Sequence, residues 1–152
     1  MTKSSEFAHR LKEIYAGEPW FGESIQTKLK DVTSDRAFQQ PLPGEHSIAE
    51  LLSHMEFWRR SFLFHLKGDK SIKFTNDHPQ NWPSVEDLKT NGWEQLCLSF
   101  TETHHALVSE LENNPTLTDD QVMYINGIIE HDIYHMGQIG IVKKLVLHSE
   151  LV

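Results

Sequence analysis

The sequence predicts an all-α fold, a four-helix bundle. Three observations carry this expectation. Apolar residues recur every three or four positions over four long segments. Serine or aspartate opens these segments, and glycine or proline follows most of them. No stretch shows the apolar–polar alternation of a half-buried strand. The 152 residues fit one domain, 1–152, long enough to bury roughly two-thirds of the unfolded surface without a disulfide or structural metal.

The first helical segment opens near Ser4 or Ser5, and Phe7, Leu11, Ile14 and Tyr15 then follow at helical spacing. Residues 17–22, with Pro19, interrupt it, and a short second piece carries Ile25 and Leu29 as far as Asp31. Residues 35–45 contain Pro41, Pro43 and Gly44 and read as a loop. Ser47 and Glu50 have the spacing of a capping box, so the second long helix starts there and runs to Lys67, with Gly68 as its stop. Its apolar face holds Leu51, Leu52, Met55, Trp58, Phe62 and Leu63. Residues 69–84 form a long crossover loop before the third helix, and unstructured connections of that length are often functional. The third helix opens at Ser84, carries Glu86 and Asp87 where the helix dipole favours acids, and ends at Asn113. The fourth starts at Asp119 or Asp120 and reaches about His148.

Composition removes several function classes. Against 14 basic residues stand 22 acidic ones, a formal charge of −8, and no basic cluster offsets it. Such a chain repels phosphate backbones, so no nucleic-acid partner is expected. No run approaches a membrane span, and the N-terminus lacks the apolar core of a signal peptide, so a cytoplasmic location is expected. The single Cys97 allows no intrachain disulfide and no zinc finger; between Leu96 and Leu98 it reads as a core residue rather than a nucleophile. A bundle with so many apolar faces can pair into a homodimer, but the sequence singles out no interface.

Histidine is the residue in excess, with ten copies. His131 and His135 alone are spaced i, i+4, which stacks both rings on one helix face about 6 Å apart. Ile128 and Val142 lie on the same stripe, with Gln138 between. The pair admits two readings: ligands of one metal ion, or core histidines satisfied by carbonyls or water. A third ligand is required for the first reading, and His54, in the middle of the second long helix, is the candidate. His65 lies three turns further on, roughly 16 Å along the axis, too far for the same ion. His46 belongs near the mouth of the bundle; His104 and His105 point about 100° apart and cannot face one site together; His9, His78 and His148 read as loop or solvated residues.

These residues carry a resemblance. The runs YAGEPWFG at 15–22, PGEHSIAELLSHMEFW at 43–58, NWP at 81–83 and IEHDIYHMGQI at 129–139 resemble the DinB-like (YfiT-like) family of metal-dependent four-helix proteins, over nearly the whole chain. In that family one histidine of the second helix joins two of the fourth, four residues apart. The resemblance therefore implies His54, His131 and His135 as the ligands of one divalent metal. It further implies a low-molecular-weight thiol as a cosubstrate, since relatives of known chemistry are thiol-dependent transferases and isomerases.

Three neutral imidazoles leave a coordination position open, the pattern of a catalytic site. One expected function is an S-transferase that presents a thiolate to a small electrophilic substrate. The alternatives are a hydrolase that activates water at the same triad, or a non-catalytic protein stabilised by metal. Zinc or nickel is expected first, with iron or copper possible from ligand type. Gln138 and Glu50 are the candidates to orient an imidazole or touch the bound ligand; Glu130 reads as a surface charge. Trp20, Phe21, Trp58 and Trp82 are candidates for a rim above the metal or for plain packing.

Overall fold

The computed structural model describes residues 1–148, so the end of the domain expected over 1–152 lies outside the described residues. The fold is all-α. Helices α1 (Lys3–Ala16), α2 (Ile25–Leu29), α3 (Ser34–Ala37), α4 (Ile48–Lys67), α5 (Val85–Asn91), α6 (Trp93–Asn113) and α7 (Asp119–His148) follow one another, with no strand among the described residues. None of them is long and apolar enough to cross a membrane.

The four long helices are α1, α4, α6 and α7; α4 packs against both α6 and α7, and α1 against α6. The core lies where their apolar faces meet, around Leu11, Leu52, Met55, Phe62, Leu107, Leu111, Ile125 and Ile129. Burial of this surface, worth about 25 cal/mol per Å², is the main force holding the helices together.

Local chemistry sets the ends. The Ser47 hydroxyl accepts from the Glu50 amide while the Glu50 carboxylate accepts from the Ser47 amide, completing the capping box of α4. Gly68 closes α4 in the left-handed region at φ 65°, where a side chain would be strained. Thr118 and Gln121 make the same reciprocal cap ahead of α7.

Three expectations are corrected. The hydroxyl of Thr2, not of Ser4 or Ser5, caps α1, and the Ser4 hydroxyl instead donates to the Leu111 carbonyl at 2.5 Å. The loop at 35–45 is entered from a short helix, α3. The third helix is two, because Gly92 takes φ 91° and ψ 160° and breaks the chain direction between α5 and α6. The break lets the Trp93 indole reach the Val32 carbonyl at 3.1 Å.

Candidate metal centre

His54 projects from the middle of α4, and His131 and His135 project from successive turns of α7, where α4 and α7 pack. Their Nε2 atoms converge: that of His131 lies 2.9 Å from that of His54 and 3.1 Å from that of His135. The three ligand atoms all fall within 4.8 Å of one another. The ring planes are tilted, by 52° for His54 against His131 and 77° for His131 against His135, so their edges rather than their faces meet.

The outer nitrogens decide what the inner ones present. His54 Nδ1 lies 3.2 Å from the Asn81 carbonyl oxygen, which only accepts, so the ring proton sits on Nδ1 and a lone pair on Nε2 faces the centre. His135 Nδ1 donates to Gln138 Oε1 at 2.5 Å, with the same consequence. The third ring differs: His131 Nδ1 is buried with no hydrogen-bond partner among the described residues. Two imidazole nitrogens on one first-row ion, each about 2.0–2.1 Å from it, sit roughly 3 Å apart, which matches the two spacings around His131 Nε2. The donor set therefore fits a divalent cation, which would satisfy the inward lone pairs of His54 and His135 at once.

Electrostatics favour the neutral rings that binding requires. Burial lowers His54 to about 4, with the nearby His135 adding to the effect. Burial, then His135 and His54, lower His131 to about 3. His135 is lowered for the same first reason.

The connection at 69–84 forms one wall. Asn81 is buried; its side chain donates to the Asn76 carbonyl at 2.8 Å and accepts from the Trp58 indole at 2.9 Å, which fixes the carbonyl that holds His54. Trp82 lies between two imidazoles, stacked on His54 at 3.7 Å and on His46 at 3.8 Å, and meets His135 edge-on at 6.1 Å.

The chain matches no family model, no curated protein and no solved structure.

The sequence-expected residues divide into those the fold gathers and those it does not. His54, His131, His135 and Gln138 come together. Glu50 is occupied by the α4 cap and by Gln40 at 3.0 Å, with His46 Nδ1 at 3.5 Å. Glu130 is exposed. Of the four aromatic candidates, Trp82 and Trp58 support the centre, whereas Trp20 and Phe21 stand in solvent at 102% and 44% exposure. His65 is exposed at the far end of α4 and packs on Phe62 and Tyr124. Cys97 is partly buried, and burial pushes its thiol up to about 11, which suits packing and not nucleophilic attack.

One buried cluster escaped the sequence reading. Arg59, wholly buried, donates from Nε to Asp132 Oδ2 at 2.8 Å and from a terminal nitrogen to His104 Nδ1 at 2.9 Å. His104 in turn stacks on Tyr15 at 3.9 Å. Burial, helped by Arg59, lowers His104 to about 3, so it stays a neutral acceptor. Complete burial pushes the Asp132 carboxyl up, and Arg59 opposes that. The signal was present: Arg59 follows Met55 by four and precedes Phe62 by three, and Asp132 shares a helix face with Ile125, Ile128 and Ile139. A charge at such positions is a buried partner in search of another.

Proposed function

We propose that the protein is a metal-dependent enzyme of the open three-histidine type, with His54, His131 and His135 holding one divalent ion, zinc or nickel in the first place. The observation that carries this is the convergence of three Nε2 atoms within 4.8 Å, two of them with their outer nitrogens hydrogen-bonded so that lone pairs face inward. No further cysteine, carboxylate or histidine joins that group among the described residues, so a fourth ligand would come from solution. Neutral ligands leave the ion its full charge, and a bound ion of this kind stabilises the anionic form of a thiol or water. The chain's own residues hold and shield: Asn81 and Gln138 orient two imidazoles, and Trp82 covers one face of His54.

The pairing of α4 with α6 and α7, and of α1 with α6, supports reading the long helices as a four-helix bundle. Together with the motifs at 43–58 and 129–139, this supports DinB-like membership and, through it, an S-transferase that uses a low-molecular-weight thiol on a small electrophile in the cytoplasm. Hydrolysis at the same triad is the competing outcome of the test.

The test begins with metal content per chain after purification without an affinity tag. One equivalent in the wild type and less than about a tenth in H131A is the expected result. No metal in the wild type after reconstitution overturns the proposal. Turnover of a model electrophile with added thiol selects the transferase, turnover with water alone selects the hydrolase, and metal binding with neither leaves a stabilising ion only.

A further inference from the structure

Among the described residues, nothing covers one face of helix α7. Met123, Gly127, Glu130, Tyr134, Gly137 and Ile141 are all exposed on it, spaced alternately by four and three residues. That is the 3.5-residue period of a helix seam that faces another helix. The apolar members stand far out of the protein: Met123 is 74%, Tyr134 65% and Ile141 60% exposed. The other faces of α7 are covered by α1, α2, α3 and α4.

Nothing among the described residues calls for either glycine. A Cβ built at Gly127 or Gly137 meets nothing within 4 Å, and neither has a positive φ. Each costs about 1 kcal/mol against alanine in a helix interior. Close approach by a second backbone from outside is a use for both.

The face is also a palindrome. Met123 and Ile141, Gly127 and Gly137, Glu130 and Tyr134, and the exposed charges Asp120 and Lys144, are each equidistant from position 132. Laying a second α7 antiparallel across the first, with the two-fold axis at 132, sets Met123 on the partner's Ile141 and Gly127 on the partner's Gly137. It brings the Glu130 carboxylate to the hydroxyl of the partner's Tyr134, and Asp120 to the partner's Lys144. Every pairing occurs twice, as an isologous interface demands. A parallel pairing would instead oppose Asp120 to Asp120 and Lys144 to Lys144. We infer that the chain forms a two-fold dimer through this face of α7, with a second copy of itself as the occupant. The interface adjoins the metal centre, since the Tyr134 ring lies 5.0 Å from that of His135, but the inference does not depend on metal.

The test is sedimentation of the full chain, metal-free and metal-loaded, across concentration. The expected mass is that of a dimer. G127Q/G137Q raises the dissociation constant at least tenfold, while circular dichroism keeps its helix signal. D120K and K144D each weaken the dimer by about tenfold, and the combined D120K/K144D chain restores it to within about twofold. In a C97S background, a mixture of D120C chains with K144C chains forms disulfide-linked pairs that neither chain forms alone. A wild type that stays monomeric up to about 100 μM overturns the inference. So does a dimer indifferent to both the glycine and the charge substitutions, or a D120K/K144D chain no tighter than the single variants.

Discussion

The Trp82 indole lies flat on the His54 imidazole, with ring centroids 3.7 Å apart and planes 9° from parallel. A residue of the connection between α4 and α5 thus holds a ring of α4, and His46 closes the stack from the other side at 3.8 Å. Trp82→Leu keeps an apolar side chain but loses the flat contact on both rings. Zinc affinity, read by competition with a chromogenic chelator, is expected to fall about tenfold. Trp20→Leu, at a fully exposed position, is expected to leave it unchanged; an equal loss would show that Trp82 has no special part in the centre.

Gln138 anchors His135 through a single hydrogen bond from Nδ1 to Oε1. Gln138→Leu has nearly the same volume and no acceptor, so the ring is free to move its proton to Nε2 and point a donor at the centre. Metal affinity is expected to drop about 10–100-fold, and Gln138→Glu, which keeps an acceptor, should hold most of it. Isothermal titration with zinc compares the three chains.

Arg59 and Asp132 form a pair with no solvent exposure on either side chain. Arg59→Met leaves the carboxylate buried without its counter-charge, which costs about 3–5 kcal/mol. The double variant R59M/D132L removes both charges and is expected to recover much of that loss. Urea unfolding of the three metal-free chains reads the difference. A double variant no more stable than R59M would mean that packing rather than charge carries the effect.

Acid should unfold the metal-free protein earlier than its carboxylates alone require. His104 folds at about 3, well below its ordinary 6.5. Between those values the unfolded chain holds a proton that the folded chain does not. Stability therefore rises with pH through this window and is lost as pH falls from about 6.5 toward 3. His54, at about 4, and His131, at about 3, act with the same sign. Urea midpoints are expected to decline steadily from pH 7 to pH 4. In His104→Gln, whose amide oxygen can still accept from Arg59, the decline should be shallower but not absent, because the other two rings remain.

Much of this protein was legible in one dimension wherever the cause was local. The α4 cap could be read because Ser47 and Glu50 are three residues apart and satisfy each other's backbone amides. The left-handed stop at Gly68 and the face shared by His131 and His135 follow in the same way from helical geometry and a residue's own conformational range. The break at Gly92 was missed, since the residues around it continue the helical pattern and only the backbone angles of Gly92 show it.

What tertiary structure alone decided is every relationship across the chain. His54 and His131 are 77 positions apart, and no periodicity says that their Nε2 atoms meet at 2.9 Å. Asn81 reads as a loop residue, yet its carbonyl sets which nitrogen of His54 carries the proton. Arg59, Asp132 and His104 come from three helices and became one network only when α4, α6 and α7 packed. Sequence by itself determined the long helices and which side chains carry ligating atoms, because propensity, capping and side-chain chemistry act within a few positions. Packing decided which of them face one another, because burial rewards the whole surface at once and is blind to distance along the chain.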